Sequence, residues 1–319
     1  MTYDIVGVGE AMIRLWVHAG TRLEDAPAYE VSVAGAEANV AVAAARMGAS
    51  TAWLSALPSN PLGRRAAREL ASHGVDVSHV HWVADARMGT YYVELSVPPR
   101  PTTVVYDREG SAAAKMDSSS ISWPTVEAAR IVHISGITPA LSPSCRDLSI
   151  EVVQRAAAAG ALVSLDVNYR RRLWSARECR AVLSELASSA SLLIITAEDA
   201  RDVFDIGGEP DTVLAALVEE LGVEHTVLTV GAGGAHWSSG EQSGHCPGYA
   251  GAATVDRIGA GDAFAAGVLL GLLDADLAGG VATGVAMSAL KLGIFGDQLT
   301  IGRDEVEGIM AGPDREVSR

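Results

Sequence analysis

Two hydropathy patterns take turns along this chain. Short apolar, β-branched runs at 163–166 (VSLD), 193–195 (LII) and 226–230 (TVLTV) have the character of buried strands. Between them, 147–159, 176–188 and 211–221 place apolar residues three and four apart among good helix formers, which predicts helices. Strand–helix alternation of this kind predicts βαβ units. The expected fold is therefore α/β, with three layers: a mostly parallel central sheet and helices on both faces. Residues 10–36 and 88–108 differ. Runs such as 12–17 (MIRLWV) and 91–95 (YYVEL) alternate with a period of two and contain few helix formers, which predicts a small accessory sheet. The segments 37–47 and 62–73 between them have helical spacing and belong to the main body. The accessory strands are thus excursions from one domain spanning 1–319, not a second autonomous unit. There is no internal repeat, and the alanine runs at 41–45 and 156–159 suit helices.

Composition narrows the classes of function. A chain of 319 residues that is 49% hydrophobic and 20% charged is packed and globular. With 39 acidic against 24 basic residues its formal charge is −15, which argues against nucleic acid or an anionic membrane as the main partner. A small anion needs only a local cluster of donors, and Arg170, Arg171 and Arg172 form one in sequence; the plain alternative is a solvated loop. Cys145, Cys179 and Cys246 are odd in number, far apart and outside any CxxC spacing. They suggest neither a disulfide framework nor a zinc site and fit a reducing, cytoplasmic setting. The start, MTYD, has no basic n-region, so no signal peptide is expected. The apolar stretch after Val268 is interrupted by Asp274 and Asp276, too soon for a spanning helix. The eight histidines lack ligand spacing, and His79 and His81 have the look of loop or edge residues.

Two glycine motifs carry candidate chemistry. Residues 7–12 (GVGEAM) begin like a dinucleotide fingerprint. Met12 stands at the third glycine, however, and a strand pattern follows instead of a helix, so a pyrophosphate would lose its helix N-terminus. Residues 256–267 (DRIGAGDAFAAG) are a flexible turn leading into an apolar helix with Asp262 in its first turn. The amides of Gly259, Ala260 and Gly261 can converge on a developing phosphoryl charge while Asp262 accepts a proton from an attacking hydroxyl. Taken by itself, the segment suits an aspartate-capped helix behind a glycine turn equally well.

The accompanying segments shift that balance. Residues 35–41 (GAEANVA), 166–170 (DVNYR) and 229–234 (TVGAGG) occur with GAGD in one order, and together they resemble the ribokinase-like (PfkB) carbohydrate kinase family across essentially the whole chain. The resemblance implies a ribokinase-like fold with a small β-sheet lid, and ATP and Mg²⁺ as cofactors. It implies Asp262 as the base, residues 259–261 as the anion hole, and Asn168, Thr196, Thr229, Gly231, Gly234 and Gly261 at the nucleotide. Glycines where a strand meets a helix would let backbone approach phosphates, whereas a hairpin turn is the plain reading of 231–234. The segment 196–199 (TAED) departs from the commoner Asn-x-x-Glu pattern, leaving both Glu198 and Asp199 as metal candidates. A K⁺ site around the Asp256 loop is a further implication, with Arg257 standing where small residues or proline are usual.

Within the family the chain most resembles the 2-keto-3-deoxygluconate kinases, through 133–142 (HISGITPALS), 164–174 (SLDVNYRRRLW) and 106–112 (YDREGSA). This implies phosphorylation of the terminal hydroxyl of a sugar acid whose carboxylate is met by Arg170 and Arg108, arginine's planar fork being suited to that role. Tyr91 and Tyr106 would lie against the hydroxylated chain, Gly35, Ala36, Asn39 and Ile137 around the pocket, and Asp297 near the substrate. Each has a structural alternative: a salt-bridged arginine, a strand aromatic, a turn. Asn60 replaces an acidic residue of many relatives. A lid with exposed edges is also a natural contact for a homodimer or higher oligomer. Two other readings stand beside this one, a fructokinase or other neutral-sugar kinase on the same fold and a non-catalytic sugar- or nucleotide-binding module.

Overall fold

A computed structural model describes residues 2–97 and 99–312. Its strands are Ile5–Val8 (β1), Met12–Val17 (β2), Glu30–Ala34 (β3), Thr51–Leu54 (β4) and Ala56–Pro58 (β5). Val75–Asp76 (β6), His81–Val83 (β7), Thr90–Glu94 (β8), Thr103–Asp107 (β9) and Ile131–Ser135 (β10) follow. Leu162–Asp166 (β11), Leu192–Thr196 (β12), His225–Thr229 (β13), Ala235–Ser239 (β14) and Gln242–Cys246 (β15) complete the set.

Nine of them form one sheet in the order β15-β14-β13-β12-β11-β10-β1-β4-β6, parallel from β6 to β13 and ending in the antiparallel hairpin β14–β15. Strand periodicity divides the core. Val6, Val132, Leu165, Leu193 and Leu228 point to one face, against the helices Pro143–Ala158, Ala176–Ala187, Ala197–Phe204 and Pro210–Leu221. Ile5, Ile131, Leu192, Ile194 and Val227 point to the other, against Ala36–Arg46, Ala260–Leu273 and Leu277–Leu292. The result is the expected three-layer α/β/α sandwich.

A separate four-stranded sheet, β3-β2-β8-β9, is built wholly from the two segments that alternate in sequence. Two local expectations change. The glycine run after β13 does not lead into a helix: a short 3-10 turn at Gly231–Gly233 carries the chain into the antiparallel β14. Asn60 has a structural task, since its side chain accepts the Leu62 and Gly63 amides at 3.0 and 3.1 Å and caps the helix Pro61–Ser72. Among the described residues no helix is long and apolar enough to cross a membrane.

The strand order reverses at β1, whose neighbours are β10 and β4. In an open parallel sheet the loops leaving neighbouring strands diverge at such a point and leave a crevice beyond their carboxyl ends. The small sheet stands over this crevice.

Candidate active site

The crevice is a cleft of about 840 Å³. Its floor is made by the ends of successive parallel strands: Glu10 after β1, Ile137 after β10, Asp166 closing β11 with Asn168 and Arg170 behind it, Thr196 closing β12, and Thr229 closing β13. The N-termini of two helices enter from one side, bringing Gly35, Ala36 and Asn39 from one and Gly259, Gly261 and Asp262 from the other. Tyr91, Tyr106 and Arg108 come from the small sheet, and Asp199 and Asp297 also line the cleft. Ala260, Glu198, Gly231 and Gly234 do not.

Asp262 lies in the first turn of the helix Ala260–Leu273. Burial pushes its carboxyl up to about 7, the charges of Asp297 and Glu37 add to the rise, and Asn39 and Arg170 oppose it. The Asn39 amide donates to Asp262 Oδ2 at 2.7 Å. Burial, with the charges of Asp262 and Asp199, holds Asp166 well above the ordinary carboxylate range, and burial also raises Asp199. Arg170 lowers all three carboxyls. It is exposed, makes a 3.2 Å hydrogen bond to the Tyr169 carbonyl, and has no ion pair among the described residues.

Before this helix the chain turns at Gly259, with φ +87°, and a Cβ there would sit 1.9 Å from the Asp297 carbonyl oxygen. Only glycine fits this turn. The Ala260 amide is used within it, donating to the Arg257 carbonyl at 3.3 Å, while the Gly259, Gly261 and Asp262 amides have no acceptor among the described residues. The free donors at the helix N-terminus are therefore those three, not 259–261 as the motif suggested.

The arginines differ from each other. Arg108 Nε donates to Glu10 Oε2 at 2.8 Å, Nη2 binds the same oxygen, and the Glu10 side chain is only 2% exposed. Its charge is thus already matched, with Nη1 left over. Tyr91 is buried, its hydroxyl donates to Asp297 Oδ2 at 2.7 Å, and its ring stacks on Tyr106 with centroids 5.6 Å apart. Asp297 in turn receives Arg14 from β2, which also donates to Asp256 at 2.5 Å. Asp297 and the Tyr91 hydroxyl are consumed in holding the small sheet against the Asp256–Gly259 turn.

Residues 3–301 match the pfkB family of carbohydrate kinases. The chain belongs to that family. It is 40% identical, over the whole length of both chains, to a 2-dehydro-3-deoxygalactonokinase of Haloferax volcanii. It is 31% identical to a 2-dehydro-3-deoxygluconokinase of Thermoproteus tenax, covering 92% of this chain and 90% of that one. The crystal structure of 2-dehydro-3-deoxygluconokinase from Thermotoga maritima superposes with a TM-score of 0.87 at 30% identity, covering 98% of each chain. This pfkB-family protein is accordingly an ATP-dependent carbohydrate kinase on a ribokinase-like fold with a small lid sheet.

Other positions of the pfkB-family chain are explained by contacts invisible in one dimension. Gly9 of the rejected dinucleotide motif is where a Cβ would lie 2.1 Å from Glu37 Oε2, so it admits a helix side chain, not a cofactor. At Gly234, a Cβ would meet the Cys246 carbonyl oxygen at 2.0 Å, which ties that glycine to β15. Thr196 Oγ1 accepts the Asp199 amide at 2.9 Å and caps the helix Ala197–Phe204, which turns Asp199 into the cleft and leaves Glu198 exposed outside it. Glu10, Arg14 and Asp166 went unassigned in the sequence, and Asp256 entered only as part of a K⁺ loop. A charge inside the alternating MIRLWV run was the available signal for Arg14, because a buried arginine demands partners. Among the described residues no three His, Cys, Asp or Glu side chains form a metal cage. An ion brought in on nucleotide phosphates needs only one or two carboxylates, and the mutually repelling pair Asp166 and Asp199 fits Mg²⁺ on that basis.

Proposed function

We propose that this kinase phosphorylates the terminal hydroxyl of 2-keto-3-deoxygluconate with Asp262 as the general base. The observation that carries the reading is one cleft holding both a carboxyl pushed up to about 7 and, at Arg170, an exposed guanidinium with no ion pair among the described residues. A neutral sugar offers such a cation only uncharged acceptors, whereas a carboxylate forms a charge-assisted, bidentate pair with it. Arg108, matched by Glu10, acts as a secondary donor through Nη1. The ring faces of Tyr91 and Tyr106, with Gly35, Ala36 and Ile137, shape the sugar side. Asn168, Thr196 and Thr229 serve the nucleotide side.

In the reaction, Asp262 takes the hydroxyl proton as the oxygen attacks the γ-phosphorus. The new O–P bond forms in line with the breaking bond to ADP. The Gly259, Gly261 and Asp262 amides, free of acceptors among the described residues, are the donors available to the charge that develops on the moving group. Mg²⁺, when bound near Asp166 and Asp199, supplies neutralisation of phosphate charge. The small sheet acts as the lid of a single domain and excludes water, a competing acceptor. A cytoplasmic homo-oligomer joined through that sheet completes the reading.

The galacto epimer is the second candidate substrate, favoured by the 40% identity to the Haloferax volcanii relative. ADP release measured with both epimers, fructose and ribose tests the proposal. A sugar acid is expected to be turned over in preference to the neutral sugars, and that preference is expected to vanish in Arg170→Ala. Preference for fructose by the intact protein overturns the sugar-acid reading.

A further inference from the structure

The helix Leu277–Leu292 carries Lys291 in its last turn, and this lysine has no exposed surface. A lysine at a helix end normally runs its stem along the protein and leaves its ammonium in water. Here Nζ turns inward and donates to two carbonyls, those of Asp256 and Ile294, each at 3.2 Å. The Asp256 carbonyl belongs to a different segment, so the contact is more than the capping of its own helix.

The surroundings are a closed set. Asp256 Oδ1 accepts the Ile258 amide at 3.1 Å, and Oδ2 accepts Arg14 at 2.5 Å and the Gly296 amide at 3.1 Å. Arg14 and Tyr91 take up Asp297. Two cations and two carboxylates balance, which is what allows an ammonium to remain here at all. Burial draws the Lys291 pKa down and the charges of Asp256 and Asp297 draw it back up. From Asp256 the backbone runs through Arg257 and Ile258 to Gly259, whose turn presents the free amides and Asp262.

Backbone carbonyls gathered on one point are how proteins replace the hydration shell of K⁺. The K⁺ that the family resemblance implies does not fit beside the Asp256 loop, because the Asp256 and Ile294 carbonyls and both Asp256 carboxylate oxygens already have protein donors. We propose that Lys291 is a tethered cation that holds the Asp256–Gly259 turn in its anion-binding shape, so that the enzyme needs no potassium. Lys291 is a positioning residue. Only the activity arm of its test rests on the kinase reading.

The test compares the intact protein and Lys291→Met in K⁺ and in tetramethylammonium at equal ionic strength. For the intact protein, rate and Tm are expected to change by less than about twofold and not at all, respectively, since screening is matched. In Lys291→Met, kcat is expected to fall about tenfold or more as the donor turn relaxes. K⁺ or ammonium, but not tetramethylammonium, should restore it saturably and raise the variant's Tm as a ligand of the folded state. Strong K⁺ dependence of the intact protein overturns the proposal, and so does a folded Lys291→Met with undiminished kcat or with neither rate nor Tm responding to K⁺. If the methionine variant does not fold, Lys291→Gln is measured in the same way. Should no sugar be turned over by the intact protein, the kinase reading has failed, while the Tm comparison still decides the cation.

Discussion

Asn39→Ala isolates the one side-chain hydrogen bond, among the described residues, that works against the burial of the proposed base. Its Nδ2 donates to Asp262 Oδ2 at 2.7 Å and lowers a carboxyl that burial has pushed up to about 7. A hydrogen bond to a charged group contributes about 1.5–3 kcal/mol, and one pKa unit corresponds to about 1.4 kcal/mol, so its loss is worth about 1–2 units. The sign is fixed by the donor, which favours the ionised form, so the pKa of Asp262 rises without it. The assay is kcat/KM for the sugar acid at saturating Mg·ATP from about pH 5.5 to 9.5. Bound Mg²⁺ lowers the absolute pKa in both proteins, and the difference between them is the readout. The acid limb of the variant should lie about one unit higher, with a rate about tenfold lower at the acid end of the range, at most about fivefold lower at pH 7, and convergence near pH 9. An unmoved limb, or an equal loss at every pH, would refute the coupling and make Asn39 a substrate contact.

Asp262→Asn should lower kcat by about 10²–10⁴, the usual worth of a general base, yet raise Tm at pH 8. The carboxyl's folded pKa is raised, so intact-protein stability falls as pH climbs from the unfolded value near 3.8 through about 7, and the variant has no such slope. Equal Tm–pH curves for the two proteins would count against a perturbed carboxyl. Gly259→Ala, with φ +87° and a carbonyl 1.9 Å from the new Cβ, should lose several kcal/mol and most activity. Gly261→Ala meets nothing within 4 Å, so its Tm should hold while KM for ATP rises; a large Tm loss there contradicts an open cleft. Arg170→Ala should raise KM for the sugar acid by about 10–100-fold with little change in Tm. Arg108→Ala, which strands a buried Glu10, should instead cost about 3–5 kcal/mol in urea unfolding.

Much of the architecture was legible because periodicity reports burial directly. The runs at 163–166, 193–195 and 226–230 became β11, β12 and β13 to within one residue, and MIRLWV is β2 without change. Asp262, Asn39 and Arg170, named through the family resemblance, do line one cleft. The loop 231–234 was read two ways because positive-φ glycines serve a hairpin and a phosphate loop alike. Arg108 looked like a free cation since Glu10, its partner, is distant in sequence and joins it only when β1 and β9 end at the same cleft.

By itself the sequence determined the alternation of strands and helices, the second sheet and the family. These depend on local spacing and residue type, which one dimension preserves. The tertiary structure decided which charges remain available. Arg14, Arg108 and Lys291 are spent on Asp256, Asp297, Glu10 and backbone carbonyls, while Arg170 has no ion pair among the described residues. A buried charge must be matched by whatever the fold brings beside it, and that pairing has no signature along the chain.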